Sequence, residues 1–265
     1  MTAIKAAFTS FSHEGYLEYG RRNIETFLEN WPKSIDLTVY FDVDETRNRI
    51  LKDFNFNERI KTIDNHALVV MQEFLYSVSY FPLLRGEYDS GQGLTYDYRM
   101  NARFGRKPFI YQDAILSHNG MVDKLFWIDG DVITHRPMPE EFLDEVLRDD
   151  AMISYLGRHG MHSECGFIGF NLNNIYTAAF VEMMVGIYKS GTFVTMGEWH
   201  DSFVFDVVRE AFEQQVEGGT FQNLSPDFVT GKNGHIHVFV DSPLGKYMDH
   251  LKGNRKHLNR SPEAE

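Results

Sequence analysis

The stretch Lys124-Leu-Phe-Trp-Ile-Asp-Gly-Asp-Val-Ile-Thr134 constrains this chain more than any other. Leu125 to Ile128 is a continuous apolar run of strand length, and it stops abruptly at Asp129-Gly130-Asp131. Such a run, bounded by a turn signal, predicts a strand buried on both faces of a sheet. Two carboxylates at the mouth of a buried strand are costly to desolvate unless something positive meets them. Hard divalent cations take carboxylate oxygens, and Gly130 permits a tight turn that aims both side chains at one point. The competing reading is a surface turn with two solvated acids, because D-x-D triplets are common.

The rest of the chain supplies the sheet that such a strand needs. Ile4 to Phe8 reads as a strand, Gly15 to Asn30 as a helix ended by Trp31-Pro32, and Ile35 to Phe41 as a second strand. A β-α-β unit of this kind points to a mostly parallel sheet flanked by helices. At 265 residues, with 43% hydrophobic and 14% aromatic residues, the chain suits one large α/β domain. Its expected extent is 1–256, followed by a polar tail, 257–265. Further strands are expected at Ala151 to Tyr155, Phe167 to Leu172, Thr220 to Leu224 and His237 to Val240. Helices are expected at His66 to Leu84, Tyr98 to His118, Glu140 to Arg148, Asn173 to Tyr188, and from about Asp201 through Phe212. Arg85 to Asp97 and Gly157 to Gly166 read as flexible loops. Asp42 and Asp44 form a second D-x-D, better explained as acids at the start of a helix. Ligands of such sheets sit outside the carboxyl ends of the strands, which makes Thr9 and Ser10 candidate nucleotide contacts.

A net charge of −12 argues against a broad grip on nucleic acid or on an anionic membrane. An anionic ligand must therefore meet a metal or a local basic cluster. Arg99, Arg103, Arg106 and Lys107 form one, and positions 99, 103 and 106 share a helix face. They suit either a diphosphate or a solvated surface, and Pro108 threatens the helix that carries them. In His250-Leu-Lys-Gly253-Asn-Arg-Lys256, an imidazole ligand, a close-approach backbone and a phosphate-binding cation stand three residues apart. The same segment could equally be an ordinary polar one. The single Cys165 excludes an intramolecular disulfide and fits a reducing compartment. No signal-peptide pattern and no membrane-length apolar stretch is visible, so a cytoplasmic location without a membrane span is expected.

Taken together, the strand with Asp129-Gly-Asp131 resembles the strand-plus-DxD signature of GT-A-fold glycosyltransferases. His250-x-x-Gly253-x-x-Lys256 is similar to the H-x-x-G-x-x-K element of glycosyltransferase family 8, the retaining group that includes glycogenin. Ser163 to Leu172 resembles the strand that follows that family's Asn-Ala-Gly, and His200-Asp201-Ser202 sits where the family has an acidic or amide pair. Departures are Glu164-Cys165-Gly166 in place of Asn-Ala-Gly, the absence of Pro-Trp after Lys256, and Asp-Ser at 201–202; these leave donor sugar and linkage open.

The resemblance implies a single GT-A-type, Rossmann-like domain. It implies transfer of a hexose from a nucleotide-sugar, a UDP-sugar, to a hydroxyl acceptor with retention. Asp129, Asp131 and His250 would hold a divalent ion, Mn²⁺ in preference to Mg²⁺ on a mixed carboxylate–imidazole set. Gly130, Gly253, Lys256 and one of Arg103, Arg106 or Lys107 would meet the diphosphate. Asp201 would orient the donor sugar or steady the anomeric carbon, its alternative being a helix cap. Three other readings compete. A sugar-nucleotide pyrophosphorylase or other nucleotidyltransferase needs a glycine-rich basic N-terminal loop that is missing here. A glycosyltransferase acting on modified nucleic acid bases sits badly with the −12 charge. A non-catalytic module would use the acidic turn for structural metal alone.

Overall fold

The computed structural model describes residues 3–258 apart from 81–87, 90–94, 97, 159, 218–219 and 226–236; at 80, 88–89, 95–96, 98–102 and 254 only the backbone is described. The chain begins with Lys5–Phe11 (β1), passes through helical turns at His13–Gly20 into Arg21–Asn30 (α1), and returns along Asp36–Phe41 (β2). Asp44–Asp53 (α2) leads to Ile60–Asp64 (β3), and Val69–Tyr80 (α3) follows. Tyr98–His118 (α4) precedes Lys124–Ile128 (β4) and Val132–Thr134 (β5). Glu140–Val146 (α5), Ile153–Arg158 (β6), Met161–Asn171 (β7), Thr177–Lys189 (α6) and Asp201–Gln215 (α7) come next. The chain continues through Phe221–Asn223 (β8), Val238–Asp241 (α8) and Met248–His250 (β9) to a final 3₁₀ stretch among the described residues, Gly253–His257.

Seven strands form one sheet in the order β8-β6-β7-β4-β1-β2-β3. Every neighbouring pair is parallel except those of β7, which runs against both β4 and β6. The α/β fold with a mostly parallel sheet is therefore the observed one. Alternation along β4 shows why its sequence is unbroken by polar residues. Leu125 and Trp127 pack into one core with Phe109, Tyr111, Phe180 and Tyr188, while Phe126 and Ile128 pack into a second with Ile24, Phe27, Trp31 and Phe142. Helices cover both faces, and the acidic turn is left at the one place where β4 leaves the sheet.

Three sequence expectations change. Gly157 to Gly166 is not a loop: Met161 to Gly166 is the first half of β7, and its Ser163 and Glu164 side chains are buried against protein partners. His237 to Val240 is not a strand; Val238–Asp241 is a short helix that stops just before Pro243. β3 escaped notice because it is a half-exposed edge strand whose polar positions blur the alternation. Acids 44 and 45 do open α2, and helix α4 runs through Pro108 without ending. The expected loop at 85–97 falls mainly outside the described residues, as does most of the expected tail. Among the described residues, no helix is long and apolar enough to cross a membrane.

Candidate active site

Beyond Ile128 the chain reverses through Asp129-Gly130-Asp131, closed by a hydrogen bond from the Val132 N–H to the Asp129 carbonyl (3.0 Å). The Asp129 N–H donates to the Gly166 carbonyl of β7 (2.9 Å). Asn23 of α1 donates its amide to the carbonyls of Asp129 (3.2 Å) and Val132 (2.7 Å), so the turn is held from two sides. Gly130 has no left-handed backbone, and the reason for glycine differs from that expected. A Cβ there would lie 2.6 Å from the Phe11 ring and 3.0 Å from that of Tyr19. Close approach of two aromatic rings, not a special dihedral, requires it.

The partner of Asp131 arrives from 119 residues away. β9 pairs antiparallel with β5, placing His250 opposite Val132, and the Leu251 N–H carries the ladder on to the Asp131 carbonyl (3.1 Å). His250 Nε2 stands 2.8 Å from Asp131 Oδ1 and 3.7 Å from Asp129 Oδ2. Its Nδ1 lies 3.1 Å from Glu164 Oε1. His250 and Lys252, alternate residues of an extended segment, share a face, and Lys252 Nζ meets the other Glu164 oxygen at 2.5 Å. Gly253 then turns the chain with a positive φ of 57°. This brings Lys256 Nζ to 3.5 Å from Asp131 Oδ2 and 4.2 Å from the Tyr19 ring centre.

Helix α4 supplies the remaining cations. Lys107 Nζ lies 2.7 Å from Asp129 Oδ1 and 2.9 Å from Asp201 Oδ2, and Trp127 Nε1 donates to that same Asp129 oxygen (2.8 Å). Asp201 begins α7 but does not cap it. The cap is His200, whose Nδ1 accepts the Phe203 N–H (3.2 Å). Asp201 is instead buried against Lys107. Arg106 Nε is buried with no hydrogen-bond partner among the described residues.

A cavity of about 720 Å³ opens over this arrangement. Of the residues singled out from sequence, it is lined by Ser10, Arg103, Arg106, Lys107, Asp129, Gly130, Asp131, Asp201, His250, Gly253 and Lys256. Thr9 is the exception: it is fully buried, and strand alternation turns it away from the face that Ser10 presents. The Arg99 side chain lies outside the described residues. Sequence reasoning missed Glu164, Lys252, Tyr19 and Trp127 as parts of the site. An acid shortly before the apolar run Phe167 to Phe170 was a usable signal for Glu164, because buried carboxylates need partners.

The electrostatics follow from burial and pairing. Burial would lower the His250 pKa, but Asp131 and Glu164 outweigh it and raise it to about 9. Burial pushes the carboxyls of Asp131 and Glu164 up, yet His250 with Lys256 holds the first below the ordinary carboxylate range, and Lys252 with His250 holds the second well below it. Lys107 stays charged because Asp129 and Asp201 overcome its desolvation. Burial, reinforced by Asp201, raises the Cys165 thiol well above its usual value, so it offers no thiolate at neutral pH.

A pH dependence follows for protein treated with chelator. A histidine whose pKa rises from 6.5 to about 9 on folding contributes stability that is complete below 6.5 and disappears as pH climbs through 9. Thermal melts between pH 6.5 and 9 should fall by roughly 5 °C from this group. In His250→Gln that segment should flatten, and equal slopes in both proteins would remove His250 as the cause.

Asp129, Asp131 and His250 offer three ligand atoms within 4.8 Å of one another, a donor set that fits a divalent ion. Glu164 at Nδ1 provides the outer carboxylate that would fix a ligating imidazole once an ion displaces the proton that Nε2 now directs at Asp131.

No family model and no curated protein matches the sequence. Solved structures do. Mouse xyloside xylosyltransferase 1 in its apo form matches with a TM-score of 0.56 at 11% identity, over 94% of this chain and 97% of that one. The glycosyltransferase GlyE of Streptococcus pneumoniae TIGR4 matches with a TM-score of 0.55 at 13% identity, over 97% of this chain and 57% of its own. The apo structure of the bifunctional glycosyltransferase WbbM matches with a TM-score of 0.53 at 10% identity, over 96% of this chain and 46% of its own. The chain thus spans nearly all of the first and about half of the other two. The likeness establishes the fold, a GT-A-like α/β sheet shared with glycosyltransferases.

Proposed function

We propose that this chain is a metal-dependent glycosyltransferase, moving a hexosyl unit from a UDP-sugar to a hydroxyl acceptor with retention at the anomeric carbon. The observation that carries this reading is the meeting of Asp129, Asp131 and His250 in one cavity that Arg103, Arg106 and Lys256 also line. Acids, an imidazole and cations lining one cavity together suit a diphosphate held with a divalent ion. A bound ion, Mn²⁺ on this donor set, would be held by those three residues and supply Lewis-acid stabilisation of the charge on the leaving diphosphate. Arg106 and Lys256 would share that charge through the same cavity. Asp201, its carboxylate steadied by Lys107, would orient the donor sugar and offset positive charge at the anomeric carbon. The front-face approach of the acceptor beside the leaving phosphate, whose oxygen takes the acceptor proton, accounts for retention. A cytoplasmic, reducing setting suits the single buried Cys165.

The test is a panel of nucleotide-sugars with Mn²⁺, scored for hydrolysis without acceptor, followed by proton NMR of the first product. A UDP-sugar should be consumed and an α-linked donor should give an α-linked product. Failure of every donor removes the transferase reading, and a β-anomer removes retention alone. Arg106→Ala should weaken UDP binding by about 1–3 kcal/mol, since it deletes a charge-assisted contact. Calorimetry showing unchanged UDP affinity in both Arg106→Ala and Arg103→Ala would assign the basic face to solvent.

A further inference from the structure

A second group of ligand atoms stands where β7 begins and α7 starts. His162 Nε2 and His200 Nε2 lie 3.2 and 2.7 Å from the same oxygen, Glu198 Oε2. Ligand atoms of all three residues fall within 4.8 Å of one another. Their side chains are 28%, 21% and 21% exposed in the order His162, His200, Glu198, and all three line a separate cavity of about 760 Å³. None of them lines the cavity of Asp129 and Asp131. A carboxylate stands behind the His162 ring, whose Nδ1 lies 3.7 Å from Asp206 Oδ2, an electrostatic contact longer than a hydrogen bond. Asp206 is itself fixed by the Ser163 N–H (2.7 Å) and hydroxyl (2.5 Å). The two imidazole rings pack 5.1 Å apart, with Phe203 against His162 at 5.2 Å. Burial pushes the Glu198 carboxyl up, but the two imidazoles outweigh it and hold it below its usual range, so it is ionised at neutral pH.

We propose that His162, Glu198 and His200 form a second metal site, for a borderline divalent transition ion such as Zn²⁺, with a fourth position open to the cavity. Two imidazoles and one carboxylate are a three-ligand set that Zn²⁺ accepts, whereas Mg²⁺ and Ca²⁺ prefer oxygen alone. Ligand atoms around tetrahedral Zn²⁺ stand about 3.3 Å apart, close to the spacings already present. Coordination through His162 Nε2 displaces the proton that now faces Glu198, and the nearby Asp206 carboxylate favours the ring's remaining proton on Nδ1. For His200 the change is larger. Its Nδ1 now accepts the Phe203 N–H, so coordination through Nε2 moves the ring proton to Nδ1 and gives up the α7 cap hydrogen bond. Any imidazolium proton displaced by the ion goes to solvent. The bound ion would tie the start of β7 to the residue immediately before Asp201, fixing the entry to α7.

The experiment is a Zn²⁺ titration of EDTA-stripped protein against a chromophoric chelator, in wild type and in His250→Ala, which disables the other cluster. His250→Ala should retain one site, and adding His162→Gln and His200→Gln should weaken it by about 100-fold or more. Asp206→Asn, which keeps every ligand, should weaken it by about 10-fold. The Phe203 amide should shift and lose exchange protection when Zn²⁺ binds. Zn²⁺ stoichiometry and affinity unchanged by the double histidine substitution would overturn the proposal, as would a His250→Ala protein that binds no Zn²⁺ at all. Should His250→Ala fail to fold, two wild-type sites falling to one in His162→Gln supports the proposal, and an unchanged count overturns it. Donor turnover is not read, so the outcome is independent of the transferase assignment.

Discussion

Asp129→Asn and Asp131→Asn are each expected to lower Mn²⁺-dependent UDP-sugar turnover by on the order of 10³-fold, about 4 kcal/mol of barrier. The two should differ in how they fail. Asp129 shares Lys107 with Asp201, so its loss leaves that cation paired. Asp131 is the carboxylate that His250 Nε2 and Lys256 both face, so its loss strips Lys256 of that acid and leaves His250 with Glu164 and the more distant Asp129. Asp131→Asn should therefore flatten the pH-dependent melting of chelator-treated protein as well as weaken Mn²⁺. Circular dichroism should show both variants folded, because the turn is held by backbone and Asn23 contacts that neither change touches. Wild-type turnover by both variants in the presence of EDTA would dispose of the metal hypothesis.

Gly166→Ala is expected to damage the same site less severely, for a steric reason. A Cβ at 166 would run into His250 Nδ1 and lie 3.1 Å from Glu164 Oε1. The strand has little freedom to yield, because the Gly166 carbonyl accepts the Asp129 N–H and its own N–H donates to Glu164 (3.0 Å). The imidazole must move instead, and Mn²⁺ affinity should fall by about 10–100-fold with turnover following it. Gly169→Ala is the control on the same strand. Its Cβ would meet the Ser154 hydroxyl and crowd Leu147 and Phe126 at 3.3 Å, so it should lower the melting temperature and leave Mn²⁺ affinity alone. Should Gly166→Ala bind Mn²⁺ as wild type does, this wall of the site is more pliable than its hydrogen bonds indicate.

The contrast between these glycines shows what a sequence can disclose here. β4 was readable because burial on both faces leaves an apolar run, and the acids that end it stand out against that run. His250, Gly253 and Lys256 were readable as a spaced motif, but the ladder that delivers them was not: β5 and β9 are three residues each, too short for any periodicity. The first half of β7 was misread for the opposite reason. Ser163 and Glu164 look like loop residues, yet one is spent on Asp206 and the other on His250 and Lys252. Polar composition marks solvent only when no buried partner exists, and partners distant in sequence leave no local trace. Asp201 shows a milder version. Its position at a helix start suggested a cap, while the capping group was the preceding histidine.

The ladder between Val132–Thr134 and Met248–His250 also bears on how the molecule is made. All seven strands of the main sheet are complete by Asn223, so a chain emerging from the ribosome can assemble its scaffold first. The imidazole comes late, after a loop closure of 119 residues from Asp131. Until then the acidic turn stands without His250, Lys252 or Lys256. A chain cut before Met248 should accordingly keep its secondary structure by circular dichroism. It should melt earlier, because Met248 and Leu251 leave the buried interior, and it should bind no Mn²⁺ by calorimetry. On the proposed reading, Mn²⁺ capture at the acidic turn would report that synthesis has run through His250, while a shorter chain keeps the sheet without completing that site.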